Sequence, residues 1–329
     1  MTVDHRHWHP VCDARQVQDE PLPVEVLATR LVLWRDTQGV VRGLHDQCPH
    51  RGARLSLGRV CQGQVQCAYH GWVFDGQGQC VRVPAMPGFQ PGQAQAAQAV
   101  AVQERMGLVW VCFSPAQADQ AVWPEFPAER QASMRKFNAG PYDVQTSAPR
   151  IVENFLDMAH FSFVHDGWLG EAAHTDIPEL QVQETAQGFK VTDARVWQPN
   201  TSALSTEGSW VTYTYEVNHP YAATLTKVPD PESGVPPGYE ESILLIIQPI
   251  TPEQCRVWFR MAVADFNMEV EDLLAFQDKI FSQDKPVLES QMPRLLPLQS
   301  GAEAHVARDK ASVAYRRFLQ KQAVTFGVC

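Results

Sequence analysis

Cys48-Pro-His50 and Cys67-Ala-Tyr-His70 place a thiolate and an imidazole within three or four residues of each other, twice. Two thiolates and two imidazoles offered by a pair of short turns suit a [2Fe–2S] cluster in which two histidines replace two cysteines on one iron and raise its reduction potential. Gly52 and Gly71 follow the two turns and permit the close backbone approach such a cluster needs. A mononuclear Cys2His2 zinc site is the competing reading, although zinc sites favour Cys–Cys and His–His pairs over mixed ones. The remaining cysteines, Cys12, Cys61, Cys80, Cys112, Cys255 and Cys329, lack such pairing and read as small apolar residues or free thiols.

A second ligand pattern lies farther along: Asp157-x-x-His160-x4-His165. Iron(II) that activates O2 outside a haem is held by two histidines and one carboxylate on one face, with the other positions open. Five residues of ideal helix rotate by about 140°, so His160 and His165 can meet one metal only if the helix ends or distorts between them. A π-bulge or an early end near Gly167 would do so. Asn154, Asp157 and His160 then descend one side of a helix among Phe155, Leu156, Phe161 and Phe163. The carboxylate must come from elsewhere. Asp284 sits three and four residues from Phe281, Ile280, Val287 and Leu288, on the apolar stripe of a long helix. Asp272 and Asp278 read as surface residues.

These residues need a scaffold. The chain has 329 residues, 44% of them hydrophobic, and nine tryptophans, enough for two buried cores. A net charge of −10 without a basic run argues against nucleic acid and anionic membranes as partners. A polar start, MTVDHRHWHP, and no long apolar stretch suggest a cytoplasmic protein with no membrane span. His5, His7 and His9 within that start read as an N-terminal strand around Trp8 rather than as ligands. Alternation predicts strands over 24–34, 40–44 and 107–113, with a hairpin turn at Asp75-Gly76. After the Pro/Ala-rich segment 114–127 the character changes. Helical spacing over 150–163, long strands over 209–217, 242–250 and 256–264, and helices over 267–288 and 308–322 predict an α+β second domain. The expected division is 1–115 and 116–329.

The motifs CPHRGARLSLG (48–58), CAYHGWVFDGQGQC (67–80), ENFLDMAHFSFVH (153–165) and QDKPVLESQ (283–291) resemble those of the Rieske non-haem iron oxygenase α-subunits. The likeness covers nearly the whole chain. Length and spacing are similar to dicamba O-demethylase-type monooxygenases, and segments 165–170 and 313–329 look like saxitoxin-pathway Rieske hydroxylases. The resemblance implies an all-β Rieske domain followed by a catalytic domain whose curved antiparallel sheet wraps a long helix in a helix-grip-like manner. It implies that Cys48, His50, Cys67 and His70 bind the [2Fe–2S] cluster and that His160, His165 and Asp284 bind Fe(II). It further implies a head-to-tail homotrimer, because the two metal sites of one subunit lie too far apart for direct electron transfer.

The expected reaction is hydroxylation or oxidative demethylation of a small organic, cyclic substrate by O2. Aromatic cis-dihydroxylation competes with it, and a non-catalytic Rieske electron carrier is the rival from another class. Asp157, three residues before His160, is expected to link that imidazole to His70 of the partner subunit and carry the electron. Asn154 reads either as a hydrogen-bond partner of a ligand or bound oxygen or as a core-facing amide satisfied by backbone, and the sequence does not separate the two. The chain has neither a plant-type C-x4-C-x2-C spacing nor a GxGxxG fingerprint, so electrons from NAD(P)H are expected to arrive through a separate reductase, with or without a ferredoxin.

Overall fold

A computed structural model describes residues 3–201, 207–264 and 268–329. Contacts divide the chain into two units at Val122/Trp123, rather than at 115/116 as expected from sequence. The reason is local. The turn after residue 114 packs back on the N-terminal segment: Trp8 Nε1 donates to Ala118 O at 3.3 Å, and Trp8 N donates to Val122 O at 3.2 Å.

The first unit is all-β. Its strands are β1 (His9–Asp13), β2 (Leu22–Val26), β3 (Thr29–Arg35), β4 (Val41–His45), β5 (Arg59–Cys61), β6 (Gln64–Gln66), β7 (Val73–Phe74), β8 (Cys80–Arg82), β9 (Ala101–Arg105) and β10 (Leu108–Cys112). They form three antiparallel sheets, ordered β1-β10-β9, β2-β3-β4 and β5-β6-β7-β8. The single strand expected over 24–34 is instead a hairpin. Leu27 and Ala28 take φ of 51° and 53° and turn the chain, an arrangement that composition does not announce because neither is a usual turn residue. The expected Asp75-Gly76 turn is wider than two residues. The Asp75 carboxylate accepts from Gln77 N and Gln79 N, each at 2.9 Å, and Gly78 takes the left-handed position at φ 82°. Val32, Trp34, Leu44, Leu55, Val65 and Phe74 form the core beneath the loops that follow β4 and β6.

The second unit contains β11 (Arg135–Val144), α1 (Ala148–Leu156), α2 (Phe161–Val164), β12 (Gln181–Glu184), β13 (Phe189–Gln198), β14 (Ser209–His219), β15 (Ala222–Pro229), β16 (Glu241–Thr251), β17 (Gln254–Val263), α3 (Val270–Ser290) and α4 (Lys310–Lys321). The strands make one seven-stranded antiparallel sheet, ordered β11-β17-β16-β15-β14-β13-β12. The expected start of the long helix at residue 267 lies outside the described residues. Register and the two-residue side-chain period set the rows on one face of this sheet. One row runs Tyr213, Lys227, Glu241, Val263, and the next runs Tyr215, Leu225, Ile243, Met261, Phe137. The buried positions of α3 (Gln277, Ile280, Phe281, Asp284, Leu288) recur at helical spacing. Phe281 meets Phe259 of β17 with ring centres 5.6 Å apart, and Phe155 of α1 meets Tyr215 at 5.8 Å. Both helices therefore close over the same face.

Candidate functional site

In the first unit the two Cys/His turns are built alike. Gly52 N donates to Cys48 O at 2.9 Å and Cys48 N donates to Ala53 O at 2.8 Å. In the second turn Gly71 N donates to Cys67 O at 3.0 Å and Cys67 N donates to Trp72 O at 2.8 Å. Gly52 and Gly71 both take φ 72°, a left-handed conformation that other residues rarely hold. Cys48 and Cys67 are buried and not joined in a disulfide. Burial pushes the Cys48 thiol up to about 11, and the neighbouring Cys67 adds to the shift. The His50 and His70 rings lie 4.6 Å apart, with His50 stacked on Trp72 at 4.5 Å. His50 Nδ1 is shielded from solvent without a hydrogen-bond partner. Two adjacent free thiols and a shielded, unpartnered imidazole nitrogen are a donor set that suits a mixed-ligand cluster.

In the second unit a different set converges. Donor atoms of His160, His165 and Asp284 all lie within 4.8 Å of one another. Asp284 Oδ1 is 3.4 Å from His160 Nε2 and 3.2 Å from His165 Nε2, and Asn154 Nδ2 donates to the same oxygen at 3.4 Å. The local chain path differs from a single distorted helix over 150–163. α1 ends at Leu156, before His160, because Asp157 leaves helical geometry (φ −93°, ψ 125°) and its carboxylate accepts from Ala159 N at 2.8 Å. A short polar side chain that captures a nearby N–H competes in this way with helix propagation. His160 and His165 then flank the single turn α2, with rings 5.1 Å apart. Asn154, Asp157 and His160 do not share one helix.

The far nitrogens of both imidazoles have acidic or amide neighbours. His165 Nδ1 contacts Gln283 Oε1 at 3.0 Å, and His160 Nδ1 faces Asp157 Oδ2 at 3.5 Å. A carbonyl or carboxylate acceptor at Nδ1 keeps a proton there, so the nitrogen free to exchange its proton for a metal is Nε2, which faces Asp284. Burial works against a charge on His160, but the Asp157 and Asp284 carboxylates outweigh it and raise its pKa to about 9. Burial raises the Asp284 carboxyl, while the facing imidazoles of His160 and His165 pull it below its ordinary value. The trio is thus already arranged as negative oxygen against positive ring, and a divalent cation would replace the proton. Gln283 was not foreseen. It stands immediately before Asp284, where a helical neighbour of a ligand can reach the ligand beside it. Gln283→Leu is expected to weaken Fe(II) binding about 10–100-fold while leaving the cluster absorption unchanged, as competition with a chelator would read.

A cavity of about 610 Å3 opens on these residues. Asn154, His160, His165 and Asp284 line it, together with the sheet rows described above. Trp168, Phe259 and Phe276 are in its wall. Trp197 stacks on His174 at 4.8 Å and is not among the lining residues. Among the described residues no helix is long and apolar enough to cross a membrane.

Residues 7–101 match the model of the Rieske [2Fe-2S] domain, and residues 144–325 match that of the vanillate O-demethylase oxygenase C-terminal domain. The chain is 30% identical over 324 residues to methylxanthine N1-demethylase NdmA of Pseudomonas putida, covering 96% of this chain and 88% of that protein. It is 26% identical over 342 residues to the vanillate O-demethylase oxygenase subunit of a Pseudomonas species, covering 95% and 93%. The structure of P. putida CBB5 NdmA with caffeine superposes with a TM-score of 0.83 at 28% identity, covering 97% of this chain and 90% of that one. With both domain models matched in order and a relative aligned along almost its whole length, this chain belongs to the Rieske non-haem iron oxygenases.

Proposed function

We propose that this chain is the oxygenase component of a multi-part system that demethylates a small, methylated cyclic substrate at nitrogen or oxygen. The observation that carries the reading is the meeting of two imidazoles and one carboxylate in the wall of a largely apolar cavity, on a chain that also brings two Cys/His turns together. Cys48, His50, Cys67 and His70 are assigned to the cluster, and His160, His165 and Asp284 to the iron. Together these groups supply reductive activation of O2, which no side chain performs alone. The side chains do the rest. Gln283 and Asp157 hold the imidazole protons on Nδ1, Asn154 steadies the Asp284 oxygen, and the aromatic wall keeps water from the reacting carbon.

The relatives named above are an N-demethylase and an O-demethylase subunit, and the word subunit points to a separate electron donor. We assign that role to a reductase that oxidises NAD(P)H, with or without a ferredoxin. We also assign a head-to-tail homotrimer, by resemblance to the family. The overall balance is substrate methyl plus O2, two electrons and two protons giving a hydroxymethyl group and water, after which formaldehyde leaves. The test is the purified chain with a surrogate reductase, NADH and a panel of N- and O-methylated cyclic compounds. Formaldehyde released in step with O2 consumed, and three irons per chain, are expected. An iron content of two with no product from any methylated compound would instead favour an electron carrier.

A further inference from the structure

We infer that Lys227 and Glu241 form the polarity filter of the cavity, selecting neutral substrates with an amide-type edge (a ring N–H beside a C=O) over carboxylates. This inference rests on the demethylase reading above and deepens it. Register places the two residues directly opposite each other on β15 and β16, in the row that also holds Tyr213. Both line the cavity, and among the described lining residues Lys227 is the only lysine or arginine. Its side chain is 7% exposed and that of Glu241 is 13% exposed, with Nζ 3.7 Å from Oε2.

That separation is longer than a hydrogen bond. Among the described residues Nζ of Lys227 has no side-chain partner nearer than this, so its N–H groups are available to an acceptor. The other Glu241 oxygen accepts from Tyr239 Oη at 2.5 Å, which fixes the carboxylate in place. A buried ammonium and a buried carboxylate side by side present one donor and one acceptor with no net charge. An amide edge satisfies both: its carbonyl takes a Lys227 proton and its N–H gives to Glu241. A carboxylate substrate would satisfy Lys227 but face the shielded Glu241 carboxylate in the same wall. Like charges desolvated together are what a specific site uses for rejection. The rest of this row and the next is aromatic or aliphatic apart from the tyrosine hydroxyls. Of these, the hydroxyl of the buried Tyr215 has no hydrogen-bond partner, so it remains open to a further polar atom of the ligand.

The test is calorimetric binding to the anaerobic holoenzyme of two probes of similar size, quinolin-2(1H)-one and 2-naphthoate. Wild type is expected to prefer the lactam by at least about tenfold, the scale of one hydrogen bond to a charged group. Glu241→Gln is expected to move that ratio toward the naphthoate by a factor of about ten, because the carboxylate that repels the anion is then gone. The double variant K227M/E241M replaces the pair with apolar groups of similar length, which buried pairs commonly tolerate. It is expected to keep the fold and bind both probes without preference. Naphthoate binding wild type as tightly as the lactam, no measurable lactam binding, or a ratio unmoved by Glu241→Gln would each overturn the filter. Formaldehyde release from methylated compounds is read separately, so loss of the preference with turnover intact refutes the filter alone.

Discussion

Asp284→Ala is expected to empty the mononuclear iron site while leaving the cluster in place. Iron per chain should fall from three to two, the visible absorption of the cluster should persist, and O2-dependent product formation should drop by at least about three orders of magnitude. The size follows from where Asp284 stands. One of its oxygens is the shared neighbour of His160 Nε2, His165 Nε2 and Asn154 Nδ2, at 3.4, 3.2 and 3.4 Å. Removing it takes away the only carboxylate in the converging trio and leaves the two imidazoles facing each other with no anion between them. A supporting residue costs only about 10–100-fold when lost, so a similar loss here would demote Asp284 from ligand to support. Asp284→Glu separates the contributions: it keeps the charge but shifts the oxygen along the wall, and should recover metal more fully than activity. Full iron occupancy in the alanine variant would remove Asp284 from the site.

The parts of this arrangement that could be read from the sequence are those whose geometry is local. Cys48 to His50 and Cys67 to His70 announce themselves because each Cys/His pair and its left-handed glycine fall within one turn. Asp284 is legible for a related reason: helical periodicity alone places it on the apolar stripe of α3. The break before His160 is not legible in the same way. Residues 150–163 carry helical spacing throughout, and only the captured Ala159 N–H shows that Asp157 stops the helix early. The Leu27-Ala28 hairpin fails to show because its residues are ordinary and tertiary packing imposes the turn. Lys227 and Glu241 are the clearest case of what stays hidden. Each lies on its own strand, and nothing in either segment says that pairing will set them in one row beside Tyr213. Nonlocal register creates that polar spot, so it emerges only once β14, β15 and β16 are aligned.

Asp157→Asn is expected to leave both metal contents, the melting temperature and the cluster spectrum within error of wild type, and to lower turnover about 100-fold, the upper end for a group that supports a ligand. Two roles compete for this residue, and the amide separates them. As a structural group, Asp157 ends α1 by accepting from Ala159 N at 2.8 Å. An asparagine side-chain oxygen can accept the same bond, so that role survives the substitution. As an electrostatic group, Asp157 faces His160 Nδ1 at 3.5 Å and helps lift that imidazole's pKa to about 9. The amide carries no charge and can present N–H to the ring nitrogen, so that role is lost. Its side chain is 41% exposed against 15% for His160, which leaves one carboxylate edge open to a second donor. We assign that donor to His70 of the partner subunit, so that the carboxylate bridges two imidazoles and carries the electron between them. If so, single-turnover mixing of the reduced variant with O2 should show slowed oxidation of the cluster by the same factor as steady-state turnover. Slow turnover with unchanged cluster oxidation would keep Asp157 as an orienting group for His160 and remove it from the electron path.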